Sequence, residues 1–170
     1  VDLHSPMDVA RVNVSGHLTQ HAHDAAVDEL RLTMGTYTLN GGTLETTVPV
    51  MGGTFEQMGG ETHFTGDLTV GSVEEGFSGM GDGTLLLDDG SLLVSGDMQL
   101  GIEPDPIAPM FPPAWGTVRF TSEKPHVEVA GDLIITAFGR LETVPGATIH
   151  LTGSNVYNTS QDPLALAGLS

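Results

Sequence analysis

The feature that most constrains this chain is an internal repeat, whose three clearest copies share a Gly-Thr start and a later Gly-Asp step. The first two copies align without a gap, and the third follows after a slightly longer interval that contains one short insertion. A recurring period of this kind is typical of stacked repeat architectures. The copies are Gly53-Thr54-Phe55 with Gly66-Asp67-Leu68-Thr69-Val70-Gly71, Gly83-Thr84-Leu85 with Gly96-Asp97-Met98-Gln99-Leu100-Gly101, and Gly116-Thr117-Val118 with Gly131-Asp132-Leu133-Ile134-Ile135.

Apolar residues of the three copies fall into four columns and alternate with polar residues within each copy. That alternation is the period of a β-strand with one buried face. A unit of a few short strands cannot bury this face alone, so the copies are predicted to stack with like residues about 4.8 Å apart. We expect Leu68, Met98 and Leu133 to form one interior column. The other columns are Phe55, Leu85 and Val118; Phe64, Val94 and Val129; and Val70, Leu100 and Ile135.

Fainter copies extend the repeat over residues 12–153. Residues 12–18 match the second half of a unit, residues 35–44 match its opening half, and residues 141–153 match the region around 118–131 at a step of 22 to 23 residues. The sequence therefore predicts an all-β fold, a single-domain parallel β-helix (β-solenoid) of roughly six coils over residues 1–170, with 154–170 as a cap or exchange segment. A β-sandwich is the alternative, but it does not require equivalent residues to recur at a fixed period.

Insertions are predicted along one edge of this solenoid. With 22 residues taken as the minimal coil, the longer steps must contain loops, and these follow the Gly-Asp strand at residues 72–82 and 102–115. Residues 20–34 occupy the equivalent place after Leu18, and residues 24–32 within them fit either a helix or a strand. Loops on one face of a repeat array often form its binding surface.

The insertion at residues 102–115 carries large apolar side chains among five prolines. Proline lowers the entropy cost of holding a loop in one shape, and exposed apolar groups mark contact surfaces. The loop is therefore either a lid over the chain's own core or an intermolecular contact. Leucines near the C-terminus could fold over the last coil or pair with a neighbouring chain. The candidate self-association residues are Ile107, Met110, Phe111, Trp115, Leu164 and Leu166.

The charge balance limits the partners of this chain. It carries 22 Asp plus Glu against five Lys plus Arg, a formal net charge of −17. Nucleic acid and anionic membrane surfaces would be repelled, and the absence of cysteine excludes disulfides and thiolate metal sites. No apolar run is long enough to cross a bilayer as a helix. The predicted partners are other copies of the chain, as an oligomer or polymer, and extracellular polysaccharide.

Two groups of side chains have metal-ligand chemistry. Carboxylates in tight turns are the hard oxygen donors that calcium prefers, although Asp-Gly also simply makes turns and the large negative charge could be screened diffusely. Imidazole and carboxylate suit zinc or copper, whereas neighbouring histidines in a polar loop are usually solvated. Calcium is the candidate cofactor, and none is required. The candidate ligands are Asp82, Asp88, Asp89, Glu74 and Glu75 for calcium, and His21 and His23, next to His17 and Asp24, for a transition metal.

Catalysis is not predicted. Paired carboxylates can cleave polysaccharide, but such sites are usually supported by basic residues or a cation. The basic residues here occupy different repeat positions and build no recognisable constellation: Arg11, Arg31, Arg119, Lys124 and Arg140. A carbohydrate-binding or polysaccharide-degrading β-helix remains the alternative function. Its expected sign is a row of exposed aromatic side chains, which the chain's one Trp and two Tyr do not supply.

The repeats resemble those of large bacterial surface proteins. The residues that carry the resemblance are Gly35-Thr36-Tyr37-Thr38-Leu39-Asn40-Gly41-Gly42-Thr43-Leu44, Gly83-Thr84-Leu85-Leu86-Leu87 and Val94-Ser95-Gly96-Asp97-Met98-Gln99-Leu100-Gly101. They look like autotransporter-associated β-strand repeats and similar solenoids of PEP-CTERM-type surface proteins. The resemblance implies a right-handed parallel β-helix, secretion, and a role in adhesion or biofilm matrix. We therefore expect a non-enzymatic, secreted or cell-surface structural protein that associates with itself as a matrix or filament subunit.

Overall fold

The computed structural model describes residues 1–73, 80–104, 113–153 and 155–160. Within these ranges the chain is all-β, with an open, curled, parallel sheet and no helix. The strands of the first half are β1 (Asp2–Leu3), β2 (Met7–Val14), β3 (His17–Gln20), β4 (Ala25–Leu39), β5 (Thr43–Gln57), β6 (Glu61–Phe64), β7 (Leu68–Val70), β8 (Ser72–Val73) and β9 (Met80–Gly81). Those of the second half are β10 (Gly83–Leu87), β11 (Ser91–Val94), β12 (Met98–Leu100), β13 (Gly116–Phe120), β14 (His126–Val129), β15 (Leu133–Ile135), β16 (Gly139–Glu142), β17 (Ile149–Leu151) and β18 (Val156–Asn158).

Parallel pairing arranges these strands in three stacks, which the chain visits in a fixed order. Stack A contains β1, β3, the C-terminal parts of β4 and β5, β10, β13 and β16. Stack B contains the N-terminal parts of β2, β4 and β5, then β6, β11, β14 and β17. Stack C contains the C-terminal part of β2, the central parts of β4 and β5, then β7, β12, β15 and β18. One passage through A, B and C is called a rung below, and the described residues form seven rungs.

The predicted columns are confirmed by the register of these pairs. Met98 pairs with Leu68 on one side and Leu133 on the other, and all three side chains are fully buried. The remaining three columns pair in the same way, and their members belong to one hydrophobic core. Inward-facing apolar residues therefore stack directly on their counterparts one rung away.

Two of the three fainter copies, residues 35–44 and 141–153, are confirmed. Val118 pairs with Leu141 and Val127 pairs with Ile149, as the short step between these copies requires. Residues 35–44 open a unit as expected, since Thr36 and Tyr37 pair with the Thr54 and Phe55 of the next rung. The repeat thus continues beyond the three copies that are visible by eye.

The sequence predicts that the minimal coil has 22 residues, the step of the C-terminal copies. This prediction is wrong for the N-terminal rungs. In stack A, Thr19 pairs with Asp2 on one side and with Thr38 on the other. Thr36 in turn pairs with Thr54. Each of these steps is shorter than the step from Val118 to Leu141. Because short steps leave room for extra passages, the described chain contains seven rungs where the sequence predicts roughly six.

The prediction of an inserted loop at residues 20–34 is also wrong. β4 begins at Ala25 and pairs with β2 and then β3 on one side and with β5 on the other. Val27, Leu30 and Leu32 are buried or nearly so, so the segment that fits either a helix or a strand is a strand. The interpretation of residues 12–18 is right only in part: β2 ends at Val14 in stack C, whereas Leu18 already opens the next rung in stack A.

The other two insertions leave the sheet at the same corner, between stacks C and A. In the first, Ser72 pairs with Gly81 in an antiparallel ladder. In the second, Ile102 and Ala114 form an antiparallel bridge. The amide of Gly83 donates to the carbonyl oxygen of Trp115 at 2.8 Å, which joins the two insertions where they return to the sheet.

The recurring Gly-Asp pair lies at the corner between stacks B and C, where hydrogen bonds explain both residue types. The amide of Asp97 donates to Oδ1 of Asp67 at 2.9 Å, that of Asp132 to Oδ1 of Asp97 at 2.8 Å, and that of Asn155 to Oδ1 of Asp132 at 3.1 Å. Glycine precedes the aspartate because a Cβ at Gly96 would lie 2.1 Å from Oδ1 of Asp67. Each carboxylate therefore joins its own corner to the corner of the following rung.

Candidate functional site

The N-terminal rung has an unpaired outer edge among the described strands. β1 pairs only with β3, and β2 pairs only with β4. Behind this edge lies a cavity of about 410 Å³ whose lining includes Leu3, Met7, Val12 and Leu18. These side chains are only half-buried, and Val9 is 39% exposed. The interior of the fold is therefore open at this end.

The C-terminal rung also has an unpaired edge among the described strands, but its side chains are more buried in stacks A and B than in stack C. Leu141 and Ile149 are 4% and 1% exposed, whereas Val156, which pairs with the inward-facing Leu133, is 39% exposed. The turn between β16 and β17 contributes Val144, which packs against the core, and Ala147, which is 3% exposed. The sequence analysis did not identify this contribution to the core, because nothing in the composition of the turn distinguishes it from a surface loop.

The structure places one of the predicted self-association residues. Trp115 is 49% exposed and packs edge-on against Phe138, with ring centroids 5.2 Å apart. Its amide donates to Oδ1 of Asp82 at 3.1 Å, so the preceding rung holds its backbone. The choice between lid and contact remains a prediction, because the other residues lie outside the described ranges: Ile107, Met110, Phe111, Leu164 and Leu166.

The predicted calcium ligands within the described ranges each have a protein partner. Asp82 accepts the Trp115 amide, and Asp88 accepts the hydroxyl of Thr121 at 2.7 Å. Asp89 lies 3.4 Å from the ammonium of Lys124 and accepts the amide of Gly90 at 2.8 Å. Glu74 and Glu75 lie outside the described ranges. Calcium binding by this set stays a prediction.

The predicted histidine site is spread over two strand ends. The ring of His21 stacks on His4 with centroids 5.9 Å apart, and its Nε2 lies 4.0 Å from Oδ1 of Asp2. The backbone carbonyl of His23 accepts the side-chain amide of Gln20. In the described part of the chain no three His, Asp or Glu side chains form a group that could hold a metal ion. The described residues therefore lend the transition-metal prediction no geometric support.

The arginines form two constellations that sequence reasoning missed. Glu29 binds Arg11 of the preceding rung and Arg31 of its own strand. Glu142 does the same in the C-terminal rungs, binding Arg119 of the preceding rung and, at 2.8 Å, Arg140 of its own strand. The available signal was an Arg and a Glu in alternate places of one strand, with a second Arg one rung earlier. Knowing the rung length is necessary to see it.

These ion pairs set the charge state of the two glutamates. The hydrogen bond from Arg31 lowers the pKa of Glu29 below its ordinary value, with Arg11 acting in the same direction. The hydrogen bond from Arg119 lowers the pKa of Glu142 and raises the pKa of Arg119 itself. Both glutamates therefore stay ionised to a lower pH than an ordinary glutamate. The ion pairs join the second rung to the first and the seventh to the sixth.

A shallow groove of about 390 Å³ runs over the outer face of stack B. Carboxylates, hydroxyls and one imidazole line it, and Nε2 of His63 lies 2.8 Å from Oγ of Ser95 at its side. Such groups can hydrogen-bond a sugar, but the groove offers no aromatic face for a sugar ring. Its lining residues are Thr43, Leu44, Glu45, Glu61, Thr62, His63, Ser91 and Leu93.

No protein-family model, no curated protein and no solved structure matches this chain. The described residues contain no helix of the length and apolarity that crossing a bilayer requires.

Proposed function

We propose that this protein is a non-catalytic structural subunit, a short parallel β-solenoid that associates with copies of itself in an extracellular matrix or on a cell surface. The observation that carries the proposal is the N-terminal rung, where an unpaired strand edge adjoins an apolar cavity of about 410 Å³. An open strand edge recruits another chain unless something covers it, and exposed apolar surface adds a driving force for association.

The β-solenoid within this proposal is supported by the three parallel stacks and by their common core. In a solenoid each rung contacts only its neighbours, so the terminal rungs differ from the inner ones in lacking one neighbour. A second copy could supply that neighbour. The surface charge of −17 opposes lateral clumping and directs association to the uncharged backbone edge.

The extracellular location rests on the resemblance of the repeats to bacterial surface proteins. Fractionation of cells that express the tagged protein would test it, and recovery in the cytosolic fraction alone would contradict it. Calcium enters the proposal only as a counter-ion or ligand of the acidic surface. A ligand that binds only the folded form raises its melting temperature, so a titration of calcium against EDTA measures this part separately.

Self-association is tested by sedimentation velocity and light scattering over a concentration series at about 0.15 M salt, where charge repulsion between copies is screened. The proposal expects a mass that rises above the 17.7 kDa of one chain. Electron microscopy then distinguishes discrete oligomers from filaments. A monodisperse monomer at every concentration, with and without calcium, would contradict the proposal and leave a monomeric binding module in its place.

A further inference from the structure

Both ends of the fold leave apolar surface to bury. At the N-terminal end Val9 is 39% exposed, and Met7 and Val12 are half-buried around the cavity. At the C-terminal end Leu141 and Ile149 are buried, whereas Val156 is 39% exposed. A contact of two N-terminal ends would bury the side chains around the cavity in both copies.

Hydrogen bonds show which backbone groups face the open edge. The amide of the inward-facing Met7 donates to the carbonyl oxygen of Asp24 at 3.0 Å, toward the second rung. The amide of Thr19, which alternates with the inward-facing Leu18, donates to the carbonyl oxygen of Val1 at 2.8 Å, toward the first rung. Successive residues of a strand alternate both in the face of the sheet on which their side chains lie and in the edge toward which their backbone amide and carbonyl point. The outward-facing Asp8 therefore directs its amide and carbonyl to the open edge.

Arg11 stands in the same orientation as Asp8. It is outward-facing, with a side chain that is 58% exposed, and it precedes the inward-facing Val12. The register with β4 is the same on both sides of Ala10, but Ala10 itself has no partner in the ladder, and this break separates the two alternating segments. Asp8 and Arg11 therefore share one side of β2 and one backbone edge. Their charges are opposite, and both residues are exposed.

An antiparallel pairing of β2 with β2 of a second copy satisfies all of these features at once. With Asp8 opposite Arg11 of the second copy, the twofold axis passes between Val9 and Ala10. Met7 then lies opposite Val12 on the inner side, and the Asp8 to Arg11 pair occurs twice. A contact of this kind is isologous, since the same patch serves on both copies, and it closes after two subunits.

We propose that the N-terminal rung docks on the N-terminal rung of a second copy through this antiparallel β2 pairing. The inference rests on the proposed self-association and names its partner, its site and its end point, which is a closed dimer instead of an open filament. The guanidinium of Arg11 has five N–H donors, so its bond to Glu29 leaves donors for the second copy.

A charge-swap pair tests the register. Asp8→Arg alone places two arginines opposite each other at both ends of the contact, and Arg11→Glu alone places a glutamate opposite Asp8 at both ends. Each variant is therefore expected to dimerise at least about tenfold more weakly than the parent. An equimolar mixture forms opposite-charge pairs in a heterodimer and should return the affinity to the parental range. Glu45→Arg is the matched control, since it replaces an acid by arginine on the same face two rungs away.

Arg11→Glu also removes a partner of Glu29, so a second variant tests the edge without that side effect. Asp8→Pro deletes an amide that faces the open edge, and edge strands tolerate proline. It should give a monomer whose melting temperature matches that of the parent measured at a concentration low enough for the parent to be monomeric. A parent mass of about twice 17.7 kDa by sedimentation equilibrium, lost in both charge-swap variants and recovered on mixing, supports the inference.

Three results would overturn it, and they are distinguishable. A dimer that neither Asp8→Pro nor the charge swaps weaken places the contact elsewhere, and self-association stands. Open-ended polymers of the parent chain exclude the closed dimer while the proposed function stands. A parent chain that is monomeric at every concentration removes both the dimer and the proposed function.

Discussion

The first three rungs and the last four rungs build the same stacks in different ways. In the first three the steps are short, as from Asp2 to Thr19 and on to Thr38, and β2, β4 and β5 run through the corner between stacks B and C as continuous strands. In the last four the steps are longer, as from Thr84 to Thr117, and the strands of stacks B and C are short. Only the inward-facing columns are common to both regions.

The two regions also stabilise their corners differently. The short-stranded rungs use aspartate carboxylates that accept an amide of the next rung. At the corner between stacks A and B, the first rungs bury polar side chains: Gln20 accepts the hydroxyl of Tyr37, and its amide donates to the carbonyl of Thr43 at 2.9 Å. The hydrogen bonds at the corners therefore differ along the fold, whereas the inward-facing columns continue through it.

Two buried glutamines of one column differ in their hydrogen bonds. Gln20 and Gln57 both pair with Leu39 and are both 1% exposed. Tyr37 of the following rung donates to Oε1 of Gln20. The equivalent residue after Gln57 is Leu85, and within the described residues Oε1 of Gln57 has no hydrogen-bond partner. The side-chain oxygen of a glutamine at this place thus accepts a hydrogen bond in one rung and, among the residues that the structure describes, has no partner in another.

The largest expected effect comes from breaking the columns that the regions share. Met98→Asp buries an unpaired charge and should lower the free energy of unfolding by about 4 kcal/mol or more. Leu32→Asp in the first region should have a comparable effect, because both residues belong to one hydrophobic core. Urea denaturation measures both. Thr69→Asp, which lies between the inward-facing Leu68 and Val70, is the control and should cost less than about 1 kcal/mol.

The buried hydrogen bond between Tyr37 and Gln20 in the first region is tested by Tyr37→Phe. The variant leaves Oε1 of Gln20 buried without its donor, which should destabilise by about 1 to 3 kcal/mol. Burial raises the pKa of Tyr37, in keeping with a hydroxyl that stays protonated as a donor. Tyr157→Phe removes a hydroxyl from a side chain that is 52% exposed and should leave the melting curve unchanged. Equal effects of the two variants would show that the Gln20 contact contributes nothing.

The aspartate corners of the second region are tested by Asp97→Ala. It deletes the acceptor of the Asp132 amide and should destabilise by about 1 kcal/mol. Asp97→Asn keeps an acceptor oxygen and relieves repulsion from the neighbouring carboxylates, so it should match or exceed the parent. Thermal melts of the three proteins decide the matter. If Asn is as harmful as Ala, the charge and not the acceptor is what the corner needs.

The smallest expected effect comes from the ion pairs at the terminal rungs. Glu142→Gln should lower stability at neutral pH by less than about 1 kcal/mol, because the pair is partly solvated. The folded-state pKa of Glu142 lies below its ordinary 4.5, so its contribution is complete above that value and is lost as the pH falls through the lowered pKa. Melting curves of parent and variant should therefore converge as the solution is acidified. Glu29→Gln should behave with the same sign.

Some of this organisation could be predicted because the chain repeats itself. Where Gly-Asp and Gly-Thr recur, the copies align, and the residues at equal places become ladder partners: Val70, Leu100 and Ile135 are a clear case. In the earlier rungs the same column continues through Val14, Leu32 and Met51, which have no flanking signature. Alternation alone then leaves residues 20–34 open to a different interpretation.

By itself the sequence determined the strand period, the inward-facing columns and the acidic surface, since each depends on neighbours in the chain or on composition. The tertiary structure decided the rung length at the N-terminus, the two Arg-Glu-Arg clusters and which apolar side chains stay exposed at each end. These features join residues of different rungs. Which side chains of different rungs meet depends on the number of residues in each rung. Where no sequence signature recurs, that number cannot be read from the sequence, and it is set only when the rung packs against its neighbours.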